Sequence, residues 1–199
     1  MFVKICGLRE PAHVAAAVDA GADAIGFVLT PSPRRITPDR MRTLVADVPP
    51  HVLTVAVLAG ASPAQVAEAV DGTGVAAVQL HGDAYTTRDY AAVRDLPLRL
   101  VRAVSGTGGA DLVSGSHGEE LLIVDAPRPG SGEPWDWAAL AGRAEGRWLL
   151  AGGLGPGNVR AAVTDTRAWG VDVSSGVESR RGVKDTGLIR EFVAAARGD

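Results

Sequence analysis

Eight short runs of β-branched and aliphatic residues, recurring about every two dozen positions, set the limits on what this 199-residue chain can fold into. They are Phe2 to Cys6, Ala24 to Leu29, Val52 to Leu58, Val75 to Leu80, Leu98 to Val104, Leu121 to Asp125, Trp148 to Ala151 and Val171 to Ser174. Most are nearly continuous in apolar residues, as in a parallel sheet covered on both faces. Helix signals fall between them. Thr37-Pro38 opens one ahead of Met41, Leu44 and Val45, and Ser62-Pro63-Ala64-Gln65 has the form of a capping box with proline at the first helical position, followed by the stripe Val66 and Val70. Another follows Thr86 with Tyr90 and Val93, one starts at Pro156 with Val159 and Val163, and the last carries Leu188, Ile189, Phe192 and Val193.

One interval breaks the alternation of strand and helix. Ser105 to Gly118 is rich in glycine and serine where a fifth helix belongs, which predicts a short or irregular connection there. Eight units in this length leave about 25 residues each, the compact limit of a single α/β domain of the (β/α)8 TIM-barrel class. A doubly wound open sheet is the runner-up, but its usual strand count is smaller and no G-x-G-x-x-G follows the first strand. The expectation is one catalytic domain spanning residues 1–199, with 46% hydrophobic residues to build its core.

Lys plus Arg number 20 against 23 Asp plus Glu, so the net charge of -3 supplies no general field for nucleic acid or an anionic membrane. An anionic ligand must be held locally. The single cysteine excludes an intrachain disulfide and a metal site built from several cysteines, and fits a reducing cytoplasm. The chain opens directly into Phe2-Val3-Lys4-Ile5-Cys6 without the pattern of a secretion signal. Its longest stretch free of Asp, Glu, Lys and Arg, Val48 to Ala67, is broken by Pro49, Pro50, Gly60 and Pro63 and does not read as a membrane span.

Barrels of this class carry their sites at the C-terminal ends of the strands, which makes Cys6, Leu29, Leu58, His81, Val104, Asp125, Gly152-Gly153 and Ser174-Ser175-Gly176 the informative positions. Cys6 closes the first strand and Asp125 the sixth, three steps apart around a ring of eight. Strands about 4.8 Å apart and tilted by about 36° give a chord of about 14 Å, which inward side chains narrow to the size of one sugar. A base and an acid facing each other across a pentose can take a proton from one carbon while protonating the ring oxygen. The two small-residue turns suit a phosphate, and their pairing on strands seven and eight favours that over ordinary strand ends. From composition alone, a cysteine at a strand end is more often a small buried hydrophobe, and an aspartate there is as often a cap or loop residue. His81 is equally a site residue or a hydrogen-bonded structural histidine, and Arg34, after Pro31-Ser32-Pro33, is otherwise a solvated arginine. His13, His51 and His117 join no triad, and neither G-x-S-x-G nor a nucleotide P-loop occurs.

With those residues in view, the chain resembles the phosphoribosylanthranilate isomerases along essentially its whole length. The matching blocks are Lys4-Ile5-Cys6-Gly7-Leu8, Gly26-Phe27-Val28, Ser32-Pro33-Arg34, Val78-Gln79-Leu80-His81-Gly82, Gly130-Ser131-Gly132 with Asp136-Trp137, Ala151-Gly152-Gly153-Leu154 with Asn158-Val159, and Gly170 through Glu178. The resemblance implies an Amadori rearrangement of N-(5'-phosphoribosyl)anthranilate to 1-(2-carboxyphenylamino)-1-deoxyribulose 5-phosphate in tryptophan biosynthesis, without cofactor or metal. It implies Asp125 as general acid and Cys6, as thiolate, as general base. Backbone N–H groups near Gly152, Gly153, Ser175 and Gly176 would hold the phosphate, the Gly130-Ser131-Gly132 loop would close over it, and Arg34 would face the anthranilate carboxylate. His81 and Asp172 fall among the expected substrate contacts. The expected partner is a small phosphorylated molecule, bound by a cytoplasmic monomer or homodimer.

Two conditions follow from that assignment. A thiol of pKa about 8.5 is only about 3% ionised at pH 7, so the site must lower that value or work with a small reactive fraction. Asp125 must be raised from its ordinary range near 3.9 to hold a proton for donation. The chain also departs from the family, which commonly shows Gly-Gly-Ser-Gly, then Lys-Thr and an aromatic, after strand six. Pro129 replaces the first glycine and Glu133-Pro134-Trp135 the rest, which predicts slower loop closure or weaker anion binding. The competing readings are a related isomerase of histidine biosynthesis, which uses an aspartate where this chain has Cys6, and a non-catalytic phosphosugar-binding barrel, which would have no need of Cys6 and Asp125 together.

Overall fold

The computed structural model describes residues 1–107, 109–127 and 135–198. The apolar runs become β1 (Phe2–Cys6), β2 (Ala24–Val28), β3 (Leu53–Ala59), β4 (Ala77–His81), β5 (Arg99–Ser105), β6 (Leu121–Asp125), β7 (Trp148–Leu150) and β8 (Gly170–Val173), joined in that order into a closed parallel barrel. Each boundary lies within two residues of the one read from the sequence. Six α-helices stand among the described residues: α1 (Pro11–Asp19), α2 (Pro38–Val45), α3 (Pro63–Val70), α4 (Thr87–Arg94), α5 (Val159–Thr166) and α6 (Thr186–Arg197). A short hairpin, β9 (Glu178–Arg180) with β10 (Val183–Lys184), precedes α6.

Local chemistry fixes most helix starts. Thr37 accepts from the Arg40 N–H, Ser62 and Gln65 form the expected reciprocal capping box, Thr86 and Asp89 form a second, and Asp185 accepts from Gly187 and Leu188 N–H. α5 begins at Val159 and not at Pro156, because Asn158 spends its side chain on the preceding loop: Oδ1 accepts from Gly155 N at 2.8 Å and Nδ2 donates to Gly153 O at 2.8 Å.

Strand alternation sorts the side chains into two cores. Val3, Ile5, Ile25, Phe27, Leu80, Leu122 and Val171 face outward and pack with Val14, Met41, Val66, Tyr90 and Phe192 of the helices. Ala24, Leu53, Val55, Ala77, Val101, Ile123 and Leu149 fill the interior. The same alternation sends Lys4, Gln79, Asp125 and Asp172 inward, all buried, so the barrel is apolar below and polar at its C-terminal end.

Between β5 and β6 the described residues form no helix, as the glycine content of that stretch predicted. A buried ion pair covers the barrel instead. Arg102, facing outward from β5, donates from Nε to Glu119 Oε1 at 2.7 Å, from Nη1 to Asp111 O at 2.8 Å, and from Nη2 to Val113 O at 3.0 Å and Ser116 Oγ at 3.2 Å. Glu119 Oε2 in turn accepts from His117 N at 2.9 Å. The alternation also fails after β6, which the sequence reading did not anticipate. Among the described residues that interval holds only a 3₁₀ turn, Trp137–Leu140, packed on α5 through buried Leu140. Gly142 and Gly146, at φ 73° and 81°, reverse the chain before a longer helix can propagate.

Arg102→Leu should therefore lower stability by about 3–5 kcal/mol, since it strands the Glu119 carboxylate in the interior. The double change Arg102→Leu with Glu119→Leu should recover at least half of that loss. Urea unfolding midpoints measure both, and a single variant as stable as the wild type would show that the pair does not hold this segment.

Candidate active site

β1 and β8 meet with Lys4 paired to Asp172 in register, and their side chains join across the seam, Lys4 Nζ to Asp172 Oδ1 at 2.8 Å. Lys4 is fully buried; against that burial, Asp172 and the neighbouring Cys6 keep its pKa above the ordinary lysine value. Two residues further along β1, on the same inward face, lies the Cys6 thiol. Burial pushes the Cys6 pKa up, and the adjacent Lys4 ammonium only partly opposes this, with Asp172 raising it further and Lys184 lowering it. The resting group is a neutral thiol.

Across the barrel, Asp125 ends β6. Its Oδ1 accepts from the Ala126 N–H at 2.7 Å, and its Oδ2 lies 3.7 Å from His81 Nε2 at the end of β4. Burial raises the Asp125 carboxyl to about 7, the Ala126 N–H and Lys4 pulling down and Asp172 pushing up. Near neutral pH about half the molecules then carry its proton. Burial also lowers the His81 pKa, which keeps the imidazole neutral. Gln79 Nε2 lies 3.3 Å from His81 Nδ1, and as donor there it places the ring proton on Nε2, toward Asp125. Gln79 Oε1 is buried and, among the described residues, without a hydrogen-bond partner.

The small-residue turns after β7 and β8 come together as predicted. Gly153, Leu154, Gly155, Gly157, Asn158, Ser175 and Gly176 line a cavity of about 290 Å³ at the start of α5. The two turns touch so closely that a Cβ on Gly176 would overlap the Leu154 carbonyl oxygen. Gly152, at φ +85°, sits against Asp125, and a Cβ there would stand 2.8 Å from Asp125 Oδ1. An open bowl of backbone groups at a helix start is suited to a phosphate.

Arg34 lies in the loop after β2, as expected, but it is buried and engaged: Nε and Nη2 donate to Glu178 Oε1 and Oε2 at 2.6 and 3.1 Å. Glu178 also accepts from Gly182 N at 2.9 Å and from Lys184 Nζ at 2.9 Å. Although burial works the other way, the Arg34 guanidinium, the Gly182 N–H and the Lys184 ammonium hold Glu178 at about 2. Lys184 donates further to Ser174 O and Oγ at 2.7 and 3.1 Å, and Ser174 Oγ donates to Cys6 O at 3.0 Å. The hairpin thus ties Arg34 to the rim beside the thiol. Gly130, Ser131 and Gly132, with Pro129, Glu133 and Pro134, lie outside the described residues. Trp135 is placed, its Nε1 donating to Ala151 O and Gly152 O, each at 3.2 Å.

Sequence reasoning assigned no role to Lys4, Gln79, Asn158, Glu178 or Lys184. Lys4 carried a readable signal: a lysine in an apolar strand, two positions from a candidate cysteine, shares its inward face. The partners of Glu178 and Lys184 are set by the hairpin and leave no such trace.

Residues 3–195 match the family model for N-(5'-phosphoribosyl)anthranilate (PRA) isomerase. The N-(5'-phosphoribosyl)anthranilate isomerase of Paracoccus denitrificans is 43% identical, over 98% of this chain and 96% of its own. The crystal structure of TrpF from Jonesia denitrificans is 51% identical and superposes with a TM-score of 0.90, covering 100% of this chain and 97% of that one. A phosphoribosyl anthranilate isomerase crystallised with reduced 1-(o-carboxyphenylamino)-1-deoxyribulose 5-phosphate is 30% identical, with a TM-score of 0.83 over 100% of both chains.

The raised Asp125 carboxyl has a cost in stability with a definite sign. The fold favours the protonated form, so the penalty is absent below the unfolded value near 3.8, grows as pH rises, and is complete above about 7. Asp125→Asn should therefore be more stable than wild type by about 2–4 kcal/mol at pH 8 and no more stable at pH 3. Chemical denaturation at the two pH values measures this, and a difference independent of pH would contradict it.

Proposed function

The chain belongs to the N-(5'-phosphoribosyl)anthranilate isomerase family, and on that premise we propose that residues 1–199 form one catalytic domain performing the Amadori rearrangement of N-(5'-phosphoribosyl)anthranilate. The observation that carries the residue assignment is the pairing of a carboxyl titrating at about 7 on β6 with a thiol beside an ammonium on β1. The phosphate would sit in the bowl formed by Gly153, Asn158, Ser175 and Gly176, with Gly152 behind it. Arg34, held by Glu178, would meet the anthranilate carboxylate. His81 and Asp172 would border the sugar, and the stretch containing Gly130, Ser131 and Gly132, outside the described residues, is assigned the loop over the phosphate.

Asp125 gives its proton to the furanose oxygen, the bond from that oxygen to C1' breaks, and the anthranilate nitrogen lone pair forms an iminium. The Asp125 carboxylate left behind keeps the Ala126 N–H and faces His81 Nε2–H. Cys6 thiolate then removes the C2' proton, the electron pair moving into a C1'–C2' double bond and the iminium electrons returning to nitrogen. The enolamine becomes the ketone by losing its 2'-hydroxyl proton and gaining one at C1'. The reading assigns no cofactor or metal, and places the enzyme in the cytoplasm as a monomer or homodimer. Among the described residues, no helix is long and apolar enough to cross a membrane.

Because the thiol titrates above the acid, the reactive form, protonated Asp125 with ionised Cys6, is a minority at every pH. The higher burial sets the thiol midpoint above that of the acid, the smaller that minority, which forms a plateau between the two midpoints. kcat/KM should rise below pH 7, level off, and fall above the thiol midpoint, the acidic bend belonging to Asp125. Assays with N-(5'-phosphoribosyl)anthranilate should find Cys6→Ser and Asp125→Asn each slower in kcat by about 10² to 10⁴, with smaller changes in KM. A Cys6→Ser enzyme within about threefold of wild-type kcat would require another base, His81 being the nearest to test.

A further inference from the structure

A general base must be a thiolate, and burial holds Cys6 as a thiol. Lys4, Asp172 and Lys184 act on its charge, with Glu178 and Arg34 joined to Lys184 beyond them and the acid and His81 opposite. Lys184 on β10 is engaged by Glu178, Ser174 O and Ser174 Oγ, and Arg34 from the loop after β2 is engaged bidentately by Glu178. Asp172 on β8 carries the wrong sign. Lys4 on β1 remains. Its ammonium has three protons; Asp172 Oδ1 accepts one at 2.8 Å, and Cys6 is the other group that acts to hold the charge on it. A fully buried ammonium with unspent donors is costly unless something else takes them.

Gly26 points to what takes them. It pairs with Cys6 across β1 and β2, and a Cβ built on it would stand 2.9 Å from Cys6 Sγ and 3.3 Å from Lys4 Nζ. One side-chain-free space therefore touches both the sulfur and the ammonium. Resting on the assignment of Cys6 as base, we propose that Lys4 is a positioning residue acting through Cys6: its ammonium pairs with the sulfur's negative charge, and Gly26 keeps their contact open. A purely structural Lys4 would serve Asp172 alone, and the thiol would titrate without regard to it.

The intact chain allows a direct test, since Cys6 is its only cysteine. Thiolate absorbance is followed against pH, with Cys6→Ser as the blank so that tyrosine ionisation cancels. Lys4→Gln should move the thiol midpoint up by about one to three units and lower kcat at pH 7 about tenfold per unit, with little change in KM. Gly26→Ala keeps every charge but wedges a methyl between the two groups, and should move the midpoint the same way by a smaller amount. A folded Lys4→Gln with an unmoved midpoint overturns the proposal, and so does a Gly26→Ala that loses activity at an unmoved midpoint. If Lys4→Gln does not fold, the Gly26→Ala midpoint decides alone. Failure of the base assignment reads separately, as retained activity in Cys6→Ser.

Discussion

Lys4 and Asp172 meet inside the barrel where β1 closes on β8, and the electrostatics of the site are organised around that ion pair. Such a pair adds little net stability, because removing both charges from water offsets their attraction. Its effect falls on its neighbours. Burial is the largest influence on Cys6, Asp125 and His81 alike, and on each of them Lys4 and Asp172 then act in opposite directions. The result is a carboxyl that still holds its proton near neutrality and a sulfur placed next to the ammonium. One buried pair thereby bears on the proposed acid and the proposed base on opposite walls.

The scaffold divides its labour between regular and irregular parts. The cavity proposed for the phosphate rests on α5 and the turn after β8, with Asn158 locking the loop to the helix start. Among the described residues the opposite wall, from β5 to β7, is poor in helix, and Arg102 with Glu119 takes over the covering role there. The hairpin β9 and β10 adds a strap, since Glu178 gathers Arg34, Gly182 and Lys184 into one cluster beside Cys6. Loops can vary in such a barrel because the strand ends keep the candidate reacting groups in register.

Much of this was legible in the chain. Eight apolar runs marked the strands because parallel strands buried on both faces need continuous apolar stretches, and the capping boxes at Ser62 and Thr86 marked helix starts because their chemistry is local. Cys6, Asp125, Gly153 and Gly176 could be placed at the C-terminal rim by strand order alone. The 3₁₀ turn at Trp137–Leu140 was not foreseen, since the apolar residues there carry no period that separates one turn from a helix. Nor was the occupied state of Arg34: its partner Glu178 is 144 residues away and reaches it through a hairpin too short to announce itself. The two conditions set by free-amino-acid chemistry fared differently, because burial raises both groups, which suits an acid and opposes a base.

The account rests on Asp125 holding a proton in the resting enzyme near neutral pH. Infrared difference spectroscopy between wild type and Asp125→Asn isolates the C=O stretch of that one protonated carboxyl, followed from acid to alkaline pH. A band that titrates away with a midpoint of about 7 is the predicted result. A band already lost by pH 5, as for a carboxyl near its ordinary value of 3.8, would contradict the account.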